Sequence, residues 1–164
     1  MRSLSMGARA FIPVALAGAA LISLVPATPV AAASPRTEAQ QIIRIAMQHR
    51  GAHWHYGAAG PRAFDCSGLV IYAFRHAGDR KALPHVRSAR ALYNWYRAHH
   101  LASRSNPKPG DLVIWGGGTH VGIYIGHGKA ISTLTRGVRV HGVHAVTARF
   151  TAYLHTGMWK RAAR

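Results

Sequence analysis

The sequence predicts an α+β fold, with N-terminal helices packed on a mainly antiparallel sheet of about five to six strands. Two patterns carry this. Apolar residues recur at helical spacing between residues 38 and 99, and beyond the Pro109-Gly110 turn pair the period changes to the alternation of short strands. Size supplies the third observation. A chain of 164 residues, 49 % apolar, can build one independent core and does not resemble a disordered polycation.

The first segment reads as something other than that core. Met1–Ala10 carries Arg2 and Arg9 and no acid, Phe11–Val25 is a mostly apolar run interrupted by Pro13, and Ala31-Ala32-Ala33 supplies small residues. This is the order of a secretory signal. The run is shorter than the roughly 20 apolar residues that span a bilayer, although an uncleaved anchor is the competing reading. The expected organisation is therefore a signal peptide at 1–33 and a single catalytic-size domain at 34–164. The expected location is secreted or cell-wall, with no stable membrane insertion once the signal is removed.

Thr37-Glu38-Ala39-Gln40 reads as a capping box that starts a helix running to about Gln48, with Ala39, Ile42, Ile43 and Ala46 on its apolar stripe. Gly51–Arg62 reads as a loop. A second helix opens near Cys66, places Leu69, Val70, Ala73, Phe74 and Ala77 on one stripe, and stops at Gly78. A third runs from Ser88 to about His99 with Leu92, Tyr93 and Tyr96 inward. Leu112–Trp115 reads as a buried strand and Gly116-Gly117-Gly118 as a flexible turn. In His120–Ile125, Val121, Ile123 and Ile125 take one face and His120, Gly122 and Tyr124 the other. Further strands are expected at Ala130–Leu134, Val138–Val143 and Ala152–Trp159.

The charge balance is extreme: 21 Lys and Arg against four acids, with 12 histidines. Four carboxylates leave no material for a carboxylate-rich calcium site or a paired-acid glycosidase, and one cysteine closes no disulfide. Without residues 1–33, only Arg2 and Arg9 are lost from the positive side. An exported polycation attracts an anionic partner, whether cell-wall polymers, lipid head groups or extracellular nucleic acid. The basic residues form no run, and no recognition motif or interleaved aromatic platform points to a specific nucleic-acid site. His53 with His55, and His99 with His100, lack the helical spacing of a zinc pair, so no metal or organic cofactor is called for.

Cys66 is the chemically distinctive residue. At a helix N-terminus a thiol faces unpaired N–H groups and the positive end of the helix dipole, both of which favour thiolate. Ser67 and Gly68 keep the first turn small, leaving backbone donors open to a substrate oxyanion. The plain alternative is a small buried hydrophobe on an apolar stripe. A thiol nucleophile needs a base, and His120 stands at the start of a strand that can face such a helix end.

Phe64-Asp65-Cys66-Ser67-Gly68-Leu69-Val70, followed by Pro109-Gly110-Asp111-Leu112-Val113 and His120-Val121-Gly122-Ile123-Tyr124-Ile125-Gly126, resembles the NlpC-type cysteine peptidases, papain-like enzymes of bacterial cell walls. The resemblance spans roughly Gly51 to Val143. It implies Cys66 as nucleophile, His120 as general base and acid, and Tyr56 lining the cleft, with Ala58 in place of the family's second glycine. It also implies substrate-binding parts for Asp65, Ser67, Arg87 and Ser88. Asp65 would oppose thiolate formation if it faced the thiol, and as an N-cap it would be occupied by backbone N–H groups.

The third triad position, usually His, Glu, Gln or Asn, falls on Ser132. Its hydroxyl would accept from the imidazole but carries no charge to stabilise imidazolium. The alternative is an ordinary strand serine, with a backbone carbonyl orienting His120. The implied function is a secreted peptidoglycan hydrolase that cleaves stem peptides at the D-γ-glutamyl–diamino acid bond. The alternatives are a weak or silent wall-peptide binder, and an acyl or amide transferase that uses the same dyad.

Overall fold

A computed structural model describes residues 36–78 and 83–163; the expected signal segment lies outside the described residues. Helix α1, Glu38–Gln48, starts at the capping box the sequence predicts. Thr37 accepts from the Gln40 N–H, and the Gln40 side chain accepts from the Thr37 N–H at 2.9 Å. Helix α2 is Cys66–His76 and helix α3 is Ala89–Ala98, with Ser88 as its cap. Glu38 is buried and paired with Arg161 at 2.9 Å, which ties the start of the domain to its end.

Two short strands precede α2: β1, His53–Trp54, and β2, Ala63–Phe64, paired in parallel. Strand β1 corrects the reading of Gly51–Arg62 as loop alone. Pairs of two residues are too short to show alternation. The main sheet consists of β3 (Ala102–Ser103), β4 (Leu112–Trp115), β5 (His120–Gly126), β6 (Lys129–Leu134), β7 (Gly137–Gly142) and β8 (Phe150–Leu154). Its order is β3-β8-β4-β5-β6-β7, and every pairing is antiparallel. The last strand stops at Leu154 instead of continuing to Trp159. Thr156 turns its N–H onto Asp111 at 3.0 Å, Gly157 adopts φ 75°, and Met158–Lys160 forms a 3₁₀ turn.

The sheet has two apolar faces. Leu112, Ile114, Val121, Ile123 and Ile131 join the helices in the main core, whereas Val113, Trp115, Tyr124 and Ala130 form a second cluster on the other side. The alternation expected of β5 is therefore observed, with His120 on the Trp115 side of the sheet, directly opposite Trp115 in register. The turn before β5 requires glycine: Gly116, Gly117 and Gly118 have φ of 54°, 62° and 107°. Among the described residues no helix is long and apolar enough to cross a membrane.

Gly68, in the first turn of α2, lets the backbone at Ala58 approach the helix. A Cβ there would overlap the Ala58 carbonyl oxygen, which already accepts from the Asp65 N–H at 2.8 Å. Gly68→Ala is expected to lower stability by about 1–3 kcal/mol, a shift of several degrees in a thermal melt, because a backbone loop must move to admit one methyl. An unchanged melting temperature would show that this approach is not tight.

Candidate active site

Asp65 caps α2 as the sequence suggests. Its Oδ1 accepts from the Gly68 N–H at 2.6 Å and its Oδ2 from the Gly57 N–H at 2.9 Å. The same carboxylate therefore fixes the helix start and the loop that carries Tyr56. The Ser67 hydroxyl, buried, lies 3.0 Å from Asp65 Oδ1 and 2.9 Å from the Arg87 carbonyl, and its single proton is shared between them. Ser67 thus faces the scaffold. Ser88 accepts from the Ala91 N–H at 3.1 Å, which commits its hydroxyl to capping α3.

Cys66 and His120 line one cleft of about 420 Å³, together with Trp54, Tyr56, Arg87 and Arg90. Trp54 and Tyr56 are exposed at its rim, and Arg87 reaches the Gly57 carbonyl at 3.4 Å. Thr133 Oγ1 is buried on the cleft wall with no partner among the described residues. Of the site residues the sequence predicts, Tyr56, Asp65, Cys66, Ser67, Arg87, Ser88 and His120 line this cleft and Ser132 does not. Ser132 lies fully buried behind it, with its Oγ 2.9 Å from His120 Nε2.

The electrostatics differ from what a helix N-terminus alone predicts. Burial pushes the Cys66 thiol up from its ordinary value. Backbone hydrogen bonding at Val121, Ser67 and Cys66 itself pulls the other way, while the Asp65 charge adds to the rise. The net direction is up, so desolvation outweighs the helix end. Val121 is the residue after His120, so the thiol meets the backbone of β5 at its start. His120 is pushed down to about 4, first by burial and then by His141. Trp115 packs against both imidazoles, its ring centroid 5.3 Å from that of His120 and 5.5 Å from that of His141. The resting pair is thiol and neutral imidazole.

His141 is the residue sequence reasoning missed. It sits on β7, and its Nε2 is 2.8 Å from Ser132 Oγ. In the β6–β7 register Ser132 pairs with Arg139 and Ala130 with His141, so His141 is the diagonal neighbour of Ser132 on the same face. The alternation within Val138–Val143 gives the face, but only the register gives the neighbour.

With this geometry in view, the comparisons are specific. Residues 51–163 match the model of the NlpC/P60 family. The chain belongs to that family, and its α+β architecture is papain-like. It is 39 % identical over 106 residues to the probable endopeptidase p60 of Listeria monocytogenes, covering 63 % of this chain and 20 % of that protein. A probable endopeptidase of Corynebacterium glutamicum is 39 % identical over 110 residues, covering 66 % of this chain and 49 % of the relative. The chain thus spans half or less of the length of these curated relatives. Among solved structures, the peptidoglycan hydrolase RipB of Mycobacterium tuberculosis superposes with a TM-score of 0.55 at 28 % identity, covering 73 % of this chain and 64 % of that one. RipD of the same organism, described as a non-catalytic domain adapted to peptidoglycan binding, shares the fold with a TM-score of 0.57 at 24 % identity, covering 73 % and 97 %.

The lowered His120 value makes a linkage prediction. Its value in the fold, about 4, lies below the ordinary 6.5, so between these pH values the unfolded chain binds the proton more readily. The His120 contribution to stability is full above about pH 6.5 and declines as pH falls toward 4, by about 3 kcal/mol. Denaturant unfolding at pH 7 and pH 4 should show a smaller acid loss in His120→Gln than in the native chain. Equal losses in the two would contradict this.

Proposed function

We propose that the chain is a secreted peptidoglycan endopeptidase that hydrolyses stem peptides at the bond between the γ-carboxyl of D-glutamate and the following diamino acid. The observation that carries the proposal is the shared cleft of Cys66, at the first turn of α2, and His120, at the start of β5, within the stretch that matches the family. RipB, similar over most of the domain, is described as a peptidoglycan hydrolase, which supports the substrate class.

In this reading His120 takes the Cys66 proton as sulfur attacks the scissile carbonyl carbon. The N–H groups at the start of α2 hold the oxyanion, an arrangement that favours charge only once it has developed. His120 then gives the proton to the departing amine, and the acyl group stays on sulfur. Water, deprotonated by His120, attacks the thioester, releasing the γ-carboxylate and restoring the thiol. Arg87 and Arg90 in the cleft suit the carboxylates of a stem peptide, and Trp54 and Tyr56 offer apolar rim surface. The excess of basic residues holds the protein on anionic wall polymers, an attraction that salt weakens. Ser132, uncharged, is the third member of the site.

A wall-peptide binder without turnover is the second reading, favoured by the neutral resting pair. Transfer of the acyl group to an amine in place of water would use the same dyad.

Incubating the protein with intact walls and with free stem peptides, and reading fragments by mass, separates these. Cleavage is expected from the native chain and not from Cys66→Ala or His120→Ala, whose losses should exceed about 10³-fold. Ser132→Ala should cost roughly tenfold, as expected of one hydrogen bond felt in the reacting state. Cleavage by Cys66→Ala removes the mechanism. Binding with no cleavage by any form establishes the binder, and new amide products establish the transferase.

A further inference from the structure

Ser132 is not the end of the chain of contacts behind His120. Its Oγ lies between two ring nitrogens, His120 Nε2 at 2.9 Å and His141 Nε2 at 2.8 Å, and His141 Nδ1 lies 3.0 Å from the Gly142 carbonyl oxygen. Three strands contribute: β5, β6 and β7. Ser132 is fully buried. Gly122 makes the approach possible. With Ile123 opposite Ile131, Gly122 faces Ser132, and a Cβ at 122 would come within 2.8 Å of the Ser132 Cβ.

For a neutral His141 the direction of every bond follows from the one group whose role cannot change. A carbonyl oxygen only accepts, so His141 Nδ1 donates to Gly142 and carries the proton of the neutral ring. His141 Nε2 is then a bare acceptor, and the Ser132 hydroxyl donates its single proton to it. Ser132 Oγ is left to accept, so His120 must donate from Nε2. That leaves His120 Nδ1 unprotonated as the ring's basic nitrogen. We infer that His141 is a positioning residue for the site, acting through Ser132 to hold His120 in the Nε2–H tautomer and leave Nδ1 as its base.

The sequence position of Ser132 left two readings open, a triad serine or a bystander with a backbone carbonyl orienting His120. The geometry joins them: a carbonyl does set the tautomer, two side chains away. A hydroxyl alone would not suffice, because it can donate to His120 Nε2 as readily as accept from it. In the first case the proton would sit on Nδ1 and block the base. His141 removes that choice.

The inference rests on the peptidase reading for its kinetic consequence but not for its structural one, so two measurements test it. The first is the imidazole ¹⁵N spectrum of the full chain at neutral pH, with His120 and His141 assigned by their Gln variants. Protonated Nε2 on His120 and protonated Nδ1 on His141 are expected. His141→Leu should leave His120 as a mixture of tautomers. The opposite tautomer on either ring, or a His120 pattern unchanged in His141→Leu, overturns the inference whether or not the protein cleaves anything. Should His141→Leu not fold, the native spectrum and Ser132→Ala decide in the same way.

The second measurement is turnover of stem peptide. His141→Leu should lower kcat roughly tenfold with KM unchanged, and His141→Gln, whose amide oxygen can accept from Ser132, should restore most of it. Ser132→Ala combined with His141→Leu should be no slower than Ser132→Ala alone, because both interrupt one relay. Multiplicative losses, or a change in KM alone, would overturn the relay. Absence of turnover in the native chain would sink the peptidase reading and leave the spectrum to judge the tautomer.

Discussion

The position of the thiol depends on a single carboxylate. Asp65 accepts from Gly68 in α2 and from Gly57 in the loop before β2, so the helix start and one wall of the cleft move together. The Ser67 hydroxyl extends this junction to the Arg87 carbonyl and so to the segment that leads into α3. Charged acceptors on backbone N–H groups are among the stronger hydrogen bonds available to a protein. The cost falls on the chemistry, since the same negative charge raises the thiol it positions. The scaffold is secured at the expense of a ready thiolate.

The sheet imposes the complementary constraint. His120 sits on the Trp115 side, where Trp115 is fixed by a buried bond from its Nε1 to the Val143 carbonyl at 2.7 Å. That indole dries the imidazole and contributes to its low value. Burial raises the thiol above its ordinary value and lowers the imidazole to about 4, so both shifts oppose an ion pair. An ion pair is not populated at rest under those conditions. In the proposed mechanism proton transfer accompanies attack, with the oxyanion donors supplying stabilisation that the resting state lacks.

Much of this arrangement is legible in the sequence because it is local. The Thr37 box, the Asp65 cap, the start of α2 at Cys66 and the two faces of β5 each follow from residues within one or two turns of one another. The parts that escape are set by register. His141 reaches His120 only through Ser132, so its place depends on two strand pairings, β6 with β7 and β5 with β6, the second shifted between Tyr124 and Gly126. No periodicity encodes such a shift. The balance between helix end and burial at Cys66 is illegible for a related reason: the sequence shows the donors, but only packing shows how little water remains. Ser88 reads as a binding residue and in the structure also caps α3, and only coordinates distinguish a hydroxyl that is free from one that is committed.

In the proposed peptidase, an uncharged third position changes what kind of acid and base His120 is. A carboxylate behind an imidazole stabilises the protonated ring and raises its value, which makes a better base and a poorer acid. A hydroxyl backed by a neutral imidazole orients the ring without that charge, while burial, the largest influence, lowers His120. The result is a weak base that is nevertheless unprotonated across the neutral range, and a conjugate acid strong enough to protonate a departing amine readily. The balance of the reaction moves accordingly. In that proposal taking the thiol proton is the harder half and expelling the amine the easier one, so the donors at the start of α2 would carry more of the burden than a charged triad would ask of them.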